Sequence, residues 1–396
     1  MCVPFEPIGV TKDESLLQQV KGIRVVPTPI WEPNNLYGKF TNQKNKGGHV
    51  GFLSEEAVKP SWKTRLSMWL RANLFIPDAK SIWYFTSQTA IDAFLKEEKV
   101  DVIISTGPPQ TTHLIARRIS KKHGIPWVAD FRDPWTNIDF FHKLPLTSLA
   151  RFIHKKLEKS VLKEATKVVT VSWSWRDDFM KLYNREVEII TNGFDPADFD
   201  SEKKPSQKFT LTHSGSINPD RNHSVLWKAL RGLLNENKAF EESFLLEIIG
   251  PVDASLKTSI VAFGMEKYVN FIPFLKHREA IEKLCQSEVL LLLINDAPNI
   301  DGIIPGKLYE YLAARRPILA IGNPNGDFNK ILKETGTGSC NDFTDEKGLS
   351  AQILIYFEAF QKGELNAHLS NIEAFSRQNL AKKYCSLLDQ IISGKS

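Results

Sequence analysis

Asp301-Gly302-Ile303-Ile304-Pro305-Gly306-Lys307-Leu308-Tyr309-Glu310-Tyr311-Leu312-Ala313-Ala314-Arg315-Arg316-Pro317 decides how the chain folds. An unbroken apolar run of strand length, Val289 to Ile294, precedes it, and a second, Pro317 to Gly322, follows. Between them Pro305-Gly306 makes a turn and Lys307 to Ala314 has helical spacing. The unit reads strand, loop, helix, strand, the βαβ pattern of a buried parallel sheet. Ligands of such sheets gather at the carboxyl ends of the strands, where helix N-termini offer free N–H groups to anions. Lys307 stands on that first turn, and Glu310 follows one turn later on the same face. A cation beside free N–H groups suits a diphosphate, and a nearby carboxylate suits a sugar diol.

Outward from this unit the same alternation continues. Upstream lie a strand Phe209 to His213, helix Val225 to Glu236, strand Phe244 to Ile249, helix Leu256 to Phe263, strand Tyr268 to Ile272 and helix Arg278 to Gln286. Downstream come helices near Phe328 to Thr335, Leu349 to Gln361 and Asn371 to Ile392. The first half has its own series: helix Ala90 to Lys99, strand Val100 to Ser105, helix Gln110 to His123, a strand from Ile125, helix Leu149 to Glu164, strand Lys167 to Ser172, helix Trp175 to Leu182 and strand Val187 to Thr191. Phe5 to Thr11 and Gly22 to Pro27 read as further strands, and Asn34 to Gly48 as a polar loop. The polar stretch Asp198 to Gln207 separates the halves, giving domains at 1–203 and 204–374. The fold class is α/β, two Rossmann-like domains in tandem.

The totals agree. A chain of 396 residues exceeds one ordinary core, and 42% hydrophobic with 24% charged residues is a globular composition. No apolar run approaches the roughly 20 residues of a membrane span. The start has no basic region leading into a long apolar stretch, so it does not read as a signal peptide. Cys2, Cys285, Cys340 and Cys385 have no metal or redox spacing and read as reduced thiols of a cytoplasmic protein. A net charge of +5 does not imply nucleic acid. Zinc spacing, a GxxxxGK[ST] loop and a GxSxG elbow are missing, which argues against metallohydrolase, nucleoside triphosphatase and esterase readings.

Several clusters carry chemistry. Gly215-Ser216-Ile217-Asn218-Pro219-Asp220-Arg221 follows a strand; glycine allows close backbone approach and Arg221 reaches a phosphate from the loop. With Pro305, Gly306 and Lys307 it forms an anion pocket between two adjacent strand ends. Asp130-Phe131-Arg132-Asp133 ends a first-half strand, either as carboxylates that orient or deprotonate a hydroxyl or as an Arg–Asp pair tying down a loop. His113, one turn past Gly107-Pro108-Pro109, is a ligand contact or a helix-packing histidine. Lys59 to Pro77 sets Trp62, Leu66, Trp69 and Leu70 at helical spacing among Lys63, Arg65 and Arg71. That is a basic amphipathic helix on an anionic bilayer, or a core-facing helix with snorkelling cations. Asp198-Phe199-Asp200 matches an acidic metal motif but falls in the linker and reads as chance.

With these residues quoted, the chain resembles the retaining family 4 glycosyltransferases of GT-B fold. The resemblance is carried by Asp101 to Pro109, Ile125 to Trp135, Ile190 to Phe194, Gly215-Ser216 and Pro305 to Leu312. It implies that Glu310 binds ribose, that Arg221 and Lys307 with the Gly215-Ser216 and Pro305-Gly306 backbone hold a diphosphate, that Leu308 belongs to the same donor site, and that Phe274, in Pro273 to Lys276, meets the base. It implies catalytic roles for Asp130, Arg132 and Asp133, acceptor or cleft contacts at Gly107, Pro108 and His113, no metal, and no cofactor beyond the nucleotide-diphosphate sugar itself. The acceptor is expected to be a glycan or lipid-linked glycan, the location cytoplasmic and peripheral on the inner membrane face through 59–77. A last helix, 375–396, is expected to cross back onto the first domain. Gly302 stands where the family has its first glutamate, and the start lacks the expected first strand and glycine-rich loop. Those departures keep open an inactive nucleotide-sugar or glycan-binding subunit, or a relative such as a sugar-nucleotide epimerase.

Overall fold

The computed structural model describes residues 2–4, 22–30, 62–199 and 206–394. The expected strand Phe5 to Thr11 and loop Asn34 to Gly48 lie outside the described residues, as do Lys59 to Ser61 and the linker 200–205. The described chain forms two compact units: one runs up to Ile190 and resumes from Lys383, the other is Thr191 to Lys382.

In the first unit, β1 (Cys2–Pro4) pairs in parallel with β2 (Val26–Thr28). Helices α1 (Trp62–Leu74), α2 (Trp83–Thr86) and α3 (Gln88–Glu97) follow. A four-stranded parallel sheet in sequential order is built from β3 (Ile103–Gly107), β4 (Trp127–Phe131), β5 (Lys167–Thr170) and β6 (Glu188–Ile189). Between these strands run α4 (Thr111–His123), α5 (Ser148–Glu164) and α6 (Trp173–Tyr183). Every residue of β4 is buried, as a central parallel strand covered on both faces requires.

The second unit holds a six-stranded parallel sheet, ordered β12-β11-β10-β7-β8-β9. Its strands are β7 (Phe209–Ser214), β8 (Phe244–Ile249), β9 (Val269–Ile272), β10 (Val289–Leu293), β11 (Ile318–Ile321) and β12 (Gly338–Asn341). Its helices are α7 (Ser224–Glu236), α8 (Lys238–Ser243), α9 (Ala254–Ala262), α10 (His277–Gln286), α11 (Gly306–Ala313), α12 (Asp327–Thr335) and α13 (Glu346–Gln361); the last helix, α14 (Arg377–Ile392), starts in this unit and belongs to the first from Lys383 on. The order reverses between β10 and β7, which sets the carboxyl ends of these two strands side by side. The apolar run at 289–293 is completely buried there.

Three expectations change. β12 escapes the sequence reading because Gly-Ser-Cys-Asn lacks β-branched or aromatic residues; its Gly338 lies so close to the Ile318 carbonyl that no Cβ fits. The helical stretch Asn371 to Ile392 is two pieces: Asn371 turns left-handed (φ 54°), Ile372–Phe375 is a 3₁₀ turn, and α14 starts at Arg377. The core-facing alternative for 62–74 does not hold, since α1 buries none of its residues. Among the described residues no helix is long and apolar enough to cross a membrane.

Candidate functional site

Gly215 follows the last residue of β7, with φ +125°, and the Lys307 side chain occupies the space where a Cβ would stand. Two loops 92 positions apart in sequence (307 − 215) thus meet through one lysine. The helix carrying that lysine is anchored to the same strand. The Tyr311 hydroxyl, wholly buried, accepts the Ser214 N–H at 2.9 Å and donates to the Leu291 carbonyl at 3.4 Å. Burial is the main influence on Lys307 and lowers its pKa; Glu310 opposes this and Arg221 adds to it. A desolvated cation beside another cation gains most when an anion arrives between them.

Arg221 is aimed by two bonds: its Nε donates to Asn295 Oδ1 at 2.6 Å and Nη1 to the Ser216 carbonyl at 3.1 Å. The loop after β10 is tied to this one by the Asp296 N–H on the Asp220 carbonyl, 2.9 Å. Below them His213 donates Nδ1–H to the Leu291 carbonyl at 2.9 Å, and burial pushes its pKa down to about 3, so it remains neutral. Glu310 lines a cavity of about 290 Å³ together with Gly306, Asn192, Gly193, Asp195 and His277. His277 is held by Asp198 at 3.0 Å.

Of the expected donor-site residues, Gly215, Ser216, Arg221, Gly306, Lys307 and Glu310 form these two connected groups, with Pro305 capping α11. Leu308 does not join them: its side chain is in the core and its N–H already bonds the Pro305 carbonyl at 2.9 Å. Phe274 is exposed on the loop that leads to His277. Sequence reasoning missed Asn295, Tyr311 and His277. Tyr311 lies in the quoted stretch, one residue after Glu310, but nothing in the spacing ties its hydroxyl to β7. Asp198, whose Asp-Phe-Asp spacing reads as a chance match to a metal motif, is hydrogen-bonded to His277.

The charged segment of the first unit is a different kind of site. Asp130, 2% exposed, accepts from Arg132 Nε at 2.8 Å and Thr106 Oγ1 at 3.3 Å. Burial nevertheless raises its pKa, against the Arg132 charge. The Tyr384 hydroxyl faces the pair, at a distance that leaves both it and Asp130 Oδ1 without a fully formed hydrogen bond. Asp133 is pushed up to about 6, by burial first and by Asp139 second. The segment is held from α5: Glu158 accepts from the Trp135 and Thr136 N–H groups at 3.2 and 3.1 Å, and the Trp135 indole donates to His154 at 3.0 Å.

Gly107 and His113 pack against each other, leaving no room for a Cβ at Gly107, while Pro108 between them is exposed. His113 is fully buried, Nδ1 2.8 Å from Ser105 Oγ and its ring 4.4 Å from that of Phe131. Burial pushes its pKa down to about 3. The N-terminus of α4 is already occupied by a carboxylate, since Asp78 accepts the Thr111 N–H and hydroxyl at 2.9 and 2.8 Å. That helix start is closed to an external anion.

Comparison with known proteins agrees with this architecture. The model of Glycosyltransferase Family 4 matches residues 54–198, and that of Glycosyl transferases group 1 matches residues 194–371. No curated protein matches the chain by sequence. Among solved structures, sucrose-phosphate synthase from Thermosynechococcus elongatus superposes with TM-score 0.60 at 12% identity, over 77% of each chain. Anabaena HepE in complex with UDP gives 0.58 at 15% identity, over 78% of this chain and 84% of that one. A UDP-forming trehalose-phosphate synthase from Burkholderia xenovorans gives TM-score 0.59 at 12% identity over 79% of both. The two family models together take in residues 54–371, and the chain belongs to the family 4 glycosyltransferases of GT-B fold.

Proposed function

We propose that this glycosyltransferase moves a sugar from a nucleotide-diphosphate donor to a glycan or lipid-linked acceptor, with retention and without a metal, on the cytoplasmic side of a membrane. The observation that carries the reading is Lys307 laid over Gly215 beside Arg221, with Glu310 one helical turn away. Two fixed cations would neutralise the departing diphosphate, the service a divalent metal gives elsewhere. The N–H groups at the start of α11 would add to them. Glu310 would take the ribose diol, and Phe274 with His277 would border the base. HepE was solved with UDP, which makes uridine diphosphate the first nucleotide to try.

In the first unit, Asp133 is suited to exchanging a proton near neutral pH, and the Asp130–Arg132 pair to fixing the segment that carries it. We assign them to the acceptor hydroxyl, with buried Gly107 and His113 supporting the acceptor side from within and Pro108 exposed at its surface.

Calorimetry of uridine diphosphate with Glu310→Ala tests the donor assignment. The expected loss is about 2–4 kcal/mol, that of a charge-assisted bidentate contact; unchanged affinity overturns it. Gly302, in place of the family's first glutamate, favours a second reading, a nucleotide-sugar binder without transfer. Release of free sugar or nucleotide from the donor by the purified chain excludes that reading, and an altered sugar still attached to nucleotide identifies an epimerase.

A further inference from the structure

We infer that α1 and the start of α5 form one membrane-docking surface for an anionic lipid bilayer. The inference deepens the lipid-linked acceptor reading and rests on it only for its purpose, not for its evidence. Trp62, Leu66, Trp69, Leu70 and Leu74 are all exposed on α1 and follow one helical stripe. Trp62 is 69% exposed, a degree that a tryptophan docked on its own domain does not show. The same exposure recurs at the start of α5, where Leu149 and Phe152 lie one turn apart, 68% and 62% exposed.

These two groups are held together rather than merely near in composition. The Asn73 side chain donates to the Pro145 carbonyl at 2.9 Å and accepts the Thr147 N–H at 2.7 Å. Thr147 is the residue whose hydroxyl caps α5, by accepting the Ala150 N–H at 3.2 Å. One asparagine therefore fixes the end of the first apolar stripe against the beginning of the second. An exposed apolar surface of this kind marks an interaction site.

Charge selects the occupant. Residues 62–77 and 140–157 contain seven lysines and arginines (Lys63, Arg65, Arg71, Lys143, Arg151, Lys155 and Lys156) and no aspartate or glutamate. Lys63 rests over the Trp62 ring, 5.8 Å from its centroid, so cation and indole share one level, as they do at a headgroup layer. Tryptophans with basic neighbours and no acidic ones match an anionic lipid surface better than a protein partner, whose rim would need acidic groups alone.

Flotation of the full chain with phosphatidylcholine vesicles, with and without phosphatidylglycerol, tests this. Binding is expected only with phosphatidylglycerol and should fade as salt rises towards about 1 M. Trp69→Ser with Phe152→Ser, and separately Lys63→Glu with Arg65→Glu, should each lower the bound fraction about tenfold or more. Uridine diphosphate binding and unfolding midpoints should stay at the wild-type values, because none of these side chains is buried. The inference is overturned if phosphatidylglycerol vesicles leave the wild type unbound, or if both double variants float like the wild type. It is equally overturned if those variants instead abolish a concentration-dependent dimer seen by sedimentation. Loss of nucleotide binding in the wild type would strike the donor reading and leave this one standing.

Discussion

Lys307 and Gly215 exclude any third atom between them: the lysine crosses the bare Cα at the end of β7, where even an alanine methyl would collide with its Cε and Nζ. The glycine is thus both a turn residue and a seat for the cation. Gly215→Ala should push Lys307 off its position and strain φ by about 1–3 kcal/mol. Uridine diphosphate affinity should drop about tenfold or more. In a Lys307→Met background the same glycine change should cost little further affinity, a coupling that calorimetry on the four proteins of the cycle measures.

Arg221 depends on Asn295 for its aim. Asn295→Ala should weaken uridine diphosphate binding by about 0.5–1.5 kcal/mol, the worth of one hydrogen bond, with a smaller change in unfolding midpoint. If Arg221 finds its phosphate without help, the affinity will not move.

Asp133 gives a pH dependence with a definite sign. Its carboxyl is raised from 3.8 to about 6, so between these values the folded chain holds a proton that the unfolded chain has released. Its contribution to stability is present below pH 4 and is lost as pH climbs through 6. Asp133→Asn should gain about 2–3 kcal/mol over the wild type at pH 7 relative to pH 4. Denaturant unfolding at the two pH values measures the difference, and a pH-independent one refutes the assignment.

Glu158 fixes the other end of that segment. It is 1% exposed and receives two backbone N–H groups and the Thr136 hydroxyl. Glu158→Ala leaves those donors buried and unpaired, at a cost of about 2–4 kcal/mol. Glu158→Gln keeps an acceptor and should recover roughly half, read from urea midpoints.

The second unit was legible because its strands are apolar runs and its decisive helix starts at a Pro-Gly turn. Val289 to Ile294 and Phe244 to Ile249 fall within a residue of β10 and β8. Lys307, Gly215 and Glu310 were legible as residue types at strand ends. Leu308 was misplaced because a helical start does not reveal which N–H the chain itself uses; Pro305 takes that one. Asn295, Tyr311 and Glu158 could not be found from spacing, since each acts on a backbone or side chain 20 or more positions away. Spacing leaves His113 as a ligand contact or a packing residue, and the structure packs it against Gly107; the Asp78 carboxylate that closes the adjacent helix start comes from a segment with no motif of its own.

The strand reversal in the second unit has a consequence for how that unit matures. β7 and β10 are adjacent in register, Leu211 opposite Val289, yet 78 positions (289 − 211) separate them. Neither loop can grip a phosphate until that long-range closure has happened, and such closures are the slow steps of parallel-sheet assembly. With the donor held as proposed, affinity for the nucleotide is expected late in the life of the chain: a ligand added during refolding should accumulate only on molecules whose central strand pair has already closed.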